Sequence, residues 1–361
     1  MFDGTVFEVW NASCQNRRVD PAEKWSICCR VAGTEAHEAR LYIGQAVLGV
    51  PLSPRRRAML FVASYMCLEA LTLDQEGGTM ECKGAIFRGK SAVMVVTPHT
   101  GTVVPSALLV HPAWEAVAGR LSDPGGKILA TTARKSEITS ISAMLHPCVI
   151  DLNVAANNAA LSERLNRLGL CRTHTSRGEA LYLPGLEPLD ADVQCRIEEY
   201  WKPFHAAVLE ELIRLRSLHN HVLMLVPHAG AWLSPYRDQL EAADCNFSTN
   251  HGASSERLIV SAMTQASQAL DHSWVVNGKM IDTFAAQRYG RPEQGVHVIE
   301  LEIGGRWRRA IEAAAGDSAD EARPDADMAK ILCAAEQAIE SLPATSVAGD
   351  LMRELRDSWL E

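Results

Sequence analysis

Residues Ser91–Gly101 read SAVMVVTPHTG, and the way this stretch is read decides the fold. Ala92 to Val96 form an apolar run without alternation, the pattern of a strand covered on both faces. Pro98 cannot donate to a ladder and ends the strand, while Gly101 permits a sharp exit. His99 is thereby delivered to the C-terminal end of a buried strand, where open α/β sheets keep their ligand crevice. The arrangement recurs at His221–Gly230, HVLMLVPHAG, with Pro227 and His228 in the same order. Two strand-end histidines in one chain suggest a shared metal site.

Working outward, strands alternate with helices. Thr79 to Val96 reads as a strand pair turning at Arg88-Gly89. Ser106 to Leu121 reads as a helix, broken at Asp123-Pro124-Gly125-Gly126. Ile138 to Asn153 ends in the apolar strand CVIDLN, which sets Asp151 and Asn153 at a strand end. Leu161–Leu168 is a short helix. Asp190–Leu218 is a long one, with Tyr200, Trp201, Phe204, Val208, Leu212 and Leu215 on one apolar stripe. Ser254–Leu270 is amphipathic, Trp274–Asn277 is a strand, and GVHVIELEIGG is a strand with alternating side chains. This order predicts an α/β fold with a largely parallel or mixed sheet in three layers. Before it, Trp25–Val31 reads as a strand, and Ser53 caps a helix that carries Pro54 in its first turn. The expected organisation is an extra N-terminal α+β segment over 1–85 and the α/β domain over 86–312. Over 313–361 an acidic connection, Ala313 to Asp327, leads to helices at Met328–Ser341 and Ala348–Leu360.

The 361 residues are 47% hydrophobic and 22% charged, enough to bury a substantial core. A net charge of −9, without an extended basic run, argues against nucleic acid as a partner. No apolar run approaches the ~20 residues of a membrane-spanning helix. The ten cysteines are scattered without a C-x-x-C pair, and the first residues lack the basic and apolar regions of a signal peptide. A reducing cytoplasm with free thiols is the expected compartment.

A hydrolytic metal site needs about three N or O ligands from separate elements, an open position for water, and a base. His99 and His228 suit the first requirement. Glu115, Asp123 and Asp151 are candidates for a carboxylate ligand, and Glu300 and Glu302 for the base. On VHVIELEI these two glutamates share a face with Val298, while His297, Ile299, Leu301 and Ile303 take the other. Carboxylates inside an otherwise apolar strand cost free energy unless they are paired or metal-bound.

The order of these motifs resembles the N-formylglutamate amidohydrolases. The resembling stretches are VTPHTG with Pro105, VIDLN, GLCRTHTSRGEALY, EEYWKPFH, VLMLVPHAG, DCNFSTNHGAS, VVNGKMIDTFAAQRYGRP and GVHVIELEI. They run collinearly over roughly residues 88 to 310. The resemblance implies a zinc-exopeptidase-like, phosphorylase/hydrolase-like α/β fold holding one divalent metal, zinc by expectation, at strand ends. It matches His99 and His228 to metal ligands and Glu302 to the base. By spacing, Asp123 becomes the acidic ligand. A water activated on the metal would attack an amide carbonyl, with Glu302 taking its proton and Asn277 or His297 steadying the oxyanion.

Several positions depart from the family pattern. The aspartate expected two places before the second histidine is Val226, which removes a carboxylate that would orient a ligand. An arginine expected after DLN is Val154, a Ser-Arg pair is His146-Pro147, and a Thr-Arg pair is Ala286-Gln287. Arginines clamp carboxylates in bidentate fashion, so losing several points away from a doubly acidic substrate. Arg172, Arg177, Arg237 and Arg288 are the remaining clamps, with Asn153 and Asn277 as polar contacts. The expectation is a hydrolase of a formyl or acyl amide on an amino-acid-like or peptide-like molecule other than plain N-formylglutamate. Two alternatives stay open: a relative that has lost catalysis and binds or scaffolds, and a metalloenzyme acting on a natural-product intermediate.

Overall fold

The computed structural model describes residues 29–30, 42–43, 84–157, 169–175, 178–229, 243–278, 284–314 and 322–344. The chain divides into two compact units, Met1–Tyr65 and Met66–Glu361. In the first, Cys29–Arg30 pairs antiparallel with Tyr42–Ile43. The expected helix after Ser53, the short helix Leu161–Leu168 and the helix Ala348–Leu360 lie outside the described residues.

The second unit is built on a seven-stranded mixed sheet. Its strands are β1 (Ala85–Phe87), β2 (Val93–Thr97), β3 (Thr139–Ser142), β4 (Val222–Ala229), β5 (Cys245–Ser248), β6 (Trp274–Val276) and β7 (Val296–Ile303). The spatial order is β1-β3-β2-β4-β7-β5-β6. β3, β2, β4 and β7 are mutually parallel, β1 joins β3 antiparallel, and β5 joins β7 antiparallel. The C-terminal ends of the four parallel strands therefore share one edge of the sheet.

The helices are α1 (Pro124–Lys135), α2 (Asp190–Arg196), α3 (Lys202–Leu218), α4 (Arg257–Ala269), α5 (Phe284–Tyr289), α6 (Gly305–Ala314) and α7 (Ala322–Glu340). Side chains alternate across the strands and feed two cores. Val93, Val95, Leu223, Leu225, Ile299 and Leu301 pack with Leu129 of α1, Ile259 of α4, Trp307 of α6 and Ile331 of α7. Met94, Val96, Met224, Val226 and Val298 pack with Phe204, Val208 and Leu212 of α3 and Tyr289 of α5. Helices cover both faces, which gives the three layers expected from the central apolar strands. No helix among the described residues is long and apolar enough to cross a membrane.

Three elements differ from expectation. Ser106–Leu121 is a chain of turns around a short 3-10 segment, Pro112–Trp114, held by i→i+3 bonds such as His111 N–H to Leu108. CVIDLN is not a strand, although Cys148, Val149, Ile150 and Leu152 are all buried. Its polar groups are used locally instead: Asp151 Oδ1 accepts from Asn153 N–H at 3.0 Å, and Asp151 N–H donates to Leu170 O at 2.7 Å. The last described helix starts at Ala322 rather than Met328, with Pro324 in a first turn that needs no N–H from it. The long helix at 190–218 carries a π turn, Ile197–Trp201, just before Pro203. From that turn Trp201 Nε1 donates to Val154 O at 2.9 Å.

Gly101, expected as a turn residue, serves close packing. A Cβ there would lie 2.0 Å from Leu145 O. The segment after the strand is clamped on the 144–145 backbone, with Thr102 and Val103 N–H both donating to Met144 O at 3.0 Å.

Candidate functional site

β2 and β4 are neighbours, so the segment after β2 and the end of β4 bring His99 and His228 together, ring centroids 5.6 Å apart. Each ring is tied down through Nε2 by a carboxylate. His99 Nε2 lies 2.7 Å from Asp151 Oδ1, and His228 Nε2 lies 2.7 Å from Glu300 Oε2. His99 Nδ1 is buried and has no hydrogen-bond partner among the described residues. An imidazole whose distal nitrogen is oriented by a carboxylate, with the other nitrogen held out of solvent and unpartnered, has the form of a metal-binding histidine.

Asp151 is the hub on the β2 side. Its Oδ2 accepts from Arg172 Nη2 at 2.5 Å, and both side chains are nearly inaccessible, at 3% and 1% exposure. Burial alone would raise its pKa, but its close pairing with His99 and the Arg172 guanidinium, with hydrogen bonds from His99 and Asn153 N–H, holds the carboxyl well below the usual carboxylate range. Beside it, His146 Nδ1 accepts from Cys148 N–H at 3.1 Å, so its Nε2–H donates to Ser122 Oγ at 2.9 Å. Burial first, then the positive charges of Arg172 and Arg120 and the nearby His99, lower its pKa to about 3. His146 is therefore neutral at physiological pH.

Glu300 is fully buried and every oxygen is occupied. Oε1 accepts from Ala286 N–H at 2.9 Å, while Oε2 accepts from His228 and from Asn153 Nδ2 at 3.3 Å. These partners offset the cost of burying the charge. They also leave Glu300 no room to act as a base, so of the two candidate glutamates only Glu302 remains for that role. Glu302 is half-buried, lies opposite His228 in the β4–β7 ladder, and accepts from Asn246 Nδ2 at 3.3 Å. Asn246 Oδ1 in turn accepts from Gly278 N–H at 3.2 Å.

Other expected site residues are elsewhere or otherwise employed. Asp123 caps α1, accepting from Gly126 N–H at 2.6 Å, which is what Asp before Pro at a helix start commonly does. Among the described residues no three His, Cys, Asp or Glu side chains are grouped to hold an ion, so the ligand set His99, Asp123 and His228 is not assembled. The two imidazoles fit a divalent ion; Asp123 does not join them.

His297 points to the opposite face from Glu300 and Glu302, opposite Leu223 in the ladder. That is five residues before His228 along β4, on the order of 16 Å at strand rise. It accepts from Glu256 N–H through Nδ1 at 3.2 Å and donates to His221 Nδ1 at 3.0 Å, and His221 donates to Pro343 O at 2.8 Å. Burial, then the neighbouring His221 and Arg216, lower its pKa to about 3. It is a structural relay and no oxyanion donor.

Asn277, at φ 52°, spends its side chain on the loop after β5. Its Oδ1 accepts from Thr249 N–H at 2.9 Å and its Nδ2 donates to Thr249 Oγ1 at 3.1 Å. Arg288 is partly buried with its guanidinium 4.9 Å from the Trp201 ring and 5.6 Å from that of Tyr289. Asn153 belongs to the Glu300–His228 network, and Arg237 lies outside the described residues. Missed altogether were Asn246, the Ser122–His146 pair and the buried His205, bonded to the Tyr289 hydroxyl at 2.5 Å.

The profile of the family described as N-formylglutamate amidohydrolase matches residues 91–306. N-formylglutamate deformylase of Pseudomonas aeruginosa is 28% identical over 219 residues, which is 60% of this chain and 81% of that protein. The N-formylglutamate deformylase of Pseudomonas putida is 26% identical over 222 residues, 61% of this chain and 82% of that one. The crystal structure of N-formylglutamate amidohydrolase from Ralstonia eutropha JMP134 superimposes with a TM-score of 0.58 at 18% identity. It aligns with 72% of this chain and 99% of its own, a likeness of fold.

Proposed function

The chain belongs to the N-formylglutamate amidohydrolase family, and on that premise we propose that it is a metal-dependent hydrolase of a formyl or acyl amide on an amino-acid-like or peptide-like substrate other than plain N-formylglutamate. The observation that carries the metal reading is the His99–His228 pair, 5.6 Å apart, with His99 Nδ1 buried and unpartnered. A divalent ion on those imidazoles, zinc by donor preference, would polarise the amide carbonyl and lower the pKa of a bound water.

The chain's own groups supply the rest. Glu302 takes the proton of the attacking water and returns it to the leaving amine. Its half-buried position beside His228 and its bond from Asn246 support that role. Asp151 and Glu300 keep both imidazoles from rotating. The substrate reading rests on the arginines. Val154 and Gln287 stand where clamps were expected, Arg172 is committed to Asp151, and Arg288 lies against aromatic rings. Among the described residues, the clamps expected from the sequence are thus replaced or already engaged, while Arg120 lies beside His146.

The test combines metal analysis with turnover of a panel of N-formyl and N-acyl amino acids and peptides under zinc, manganese and iron. About one equivalent of metal is expected in the wild type, and far less in His99→Ala and His228→Ala. Full occupancy in both variants would sink the site. N-formyl-L-glutamate emerging as the best substrate would overturn the substrate assignment, and no turnover with any metal would favour a binding role.

A further inference from the structure

The register of β4 against β7 answers a loss visible in the sequence. Val226, where a carboxylate was expected two residues before His228, pairs with Glu300 across the ladder. Both side chains lie on the same face of the sheet, and His228 follows on that face two residues later. Glu300 Oε2 stands 2.7 Å from His228 Nε2, with the glutamate at 0% and the histidine at 7% side-chain exposure. The carboxylate missing from one strand is present on its neighbour.

We propose that Glu300 is the positioning residue of His228, supplying from β7 the carboxylate that β4 lacks at Val226, and that it locks His228 in the Nε2–H tautomer. Its oxygens accept from Ala286 N–H and from the Asn153 amide, so it meets the ring as an acceptor and the ring must donate. The lone pair of the neutral imidazole then sits on Nδ1. Asp151 does the same for His99 through Nε2 at 2.7 Å. Each histidine thus has its tautomer set by a carboxylate from a different element.

The inference deepens the metal reading and rests on it only for its consequence in affinity. Glu300→Gln tests it, because Ala286 N–H, a backbone donor that cannot turn, requires an acceptor at Oε1, whereas the Asn153 amide can turn its oxygen toward the new NH2. The new carbonyl faces Ala286 and the new NH2 faces His228 Nε2, which must now accept. In metal-free protein, long-range 15N–1H correlation spectra are expected to report His228 as Nε2–H in the wild type and Nδ1–H in Glu300→Gln. Zinc affinity, measured by competition with a chelating dye, is expected to fall roughly 10- to 100-fold. Val226→Asp in the Glu300→Gln background returns a carboxylate to β4 and is expected to restore the tautomer and most of the affinity.

An Nδ1–H His228 in the wild type overturns the proposal, as does an Nε2–H tautomer persisting in Glu300→Gln. Failure of the double variant to recover either property counts equally against it. If the wild type binds no zinc, the metal reading fails while the tautomer measurement still decides the role of Glu300. The wild-type spectrum alone decides it if Glu300→Gln does not fold.

Discussion

Replacing Arg172 by methionine leaves Asp151 as a carboxylate at 3% exposure facing only His99 Nε2–H and Asn153 N–H. At pH 7 the aspartate is ionised in the native protein, because His99 and Arg172 outweigh its burial. Removing one partner of such a buried pair costs about 3–5 kcal/mol, since a charge is left in low dielectric without its counterion. Asp151→Asn carries a similar penalty from the other side, as it strands a guanidinium at 1% exposure whose Nε and Nη1 already have no partner. The double variant should behave differently. Asn at 151 keeps an oxygen for His99 and Asn153, and methionine fills the volume of the arginine stem without charge. Replacing a buried pair by neutral groups is often close to neutral, so the double variant should lie within about 2 kcal/mol of wild type. The readout is the shift in urea midpoint at constant m across the four proteins. A single variant losing under about 1 kcal/mol, or a double variant losing the sum of the two singles, would refute the buried-pair argument.

Three further outcomes follow from the geometry. His297 is neutral in the native state down to about pH 3 but titrates near its ordinary value when unfolded, so the unfolded chain binds the extra proton in between. Stability from this site is full above about pH 6.5 and is lost as pH falls, with a limiting slope of ~1.4 kcal/mol per pH unit; His297→Gln should remove one proton's worth of slope in denaturation between pH 6 and 4.5. Asn277→Ala should cost about 1–3 kcal/mol in stability through the lost Thr249 bonds. It should lower kcat less than tenfold, whereas a drop on the order of 100-fold would restore Asn277 as an oxyanion donor. Gly101→Ala drives a Cβ to within 2.0 Å of Leu145 O. A loss of several kcal/mol in thermal or urea unfolding is expected, and wild-type stability would show that the 144–145 backbone gives way.

The central strands were legible because an apolar run ending in Pro-His is hard to place anywhere but in a covered parallel sheet. The same logic misread CVIDLN. Its side chains are as buried as those of a strand, but its backbone finds partners outside a ladder: Asn153 N–H donates to Asp151 Oδ1, Asp151 N–H to Leu170 O and Val149 N–H to His146 O. Asp123 misled in the other direction. Spacing made it a ligand, while the plain signal of Asp followed by Pro at a helix start described what it does. His297 could have been excluded from its alternation alone, since it never shared a face with Glu300 and Glu302. Arg172 was singled out as a substrate clamp but pairs with Asp151, and Asn246 carried no signal, because both roles arise from which strands and loops become neighbours in the folded sheet.

The β4–β7 ladder bears on how relatives of this protein are compared. Residues paired across two strands are spatial neighbours closer to each other than either is to most of its own sequence context, so a requirement met at one of them can migrate to the other without disturbing the site. Read along the chain alone, Val226 is a missing carboxylate and Glu300 an isolated acid on another strand. Read as a pair defined by the register, 226 and 300 together hold one acid in this chain. Relatives set aside for lacking one expected residue should therefore be reread two positions at a time, along the ladder rather than along the chain.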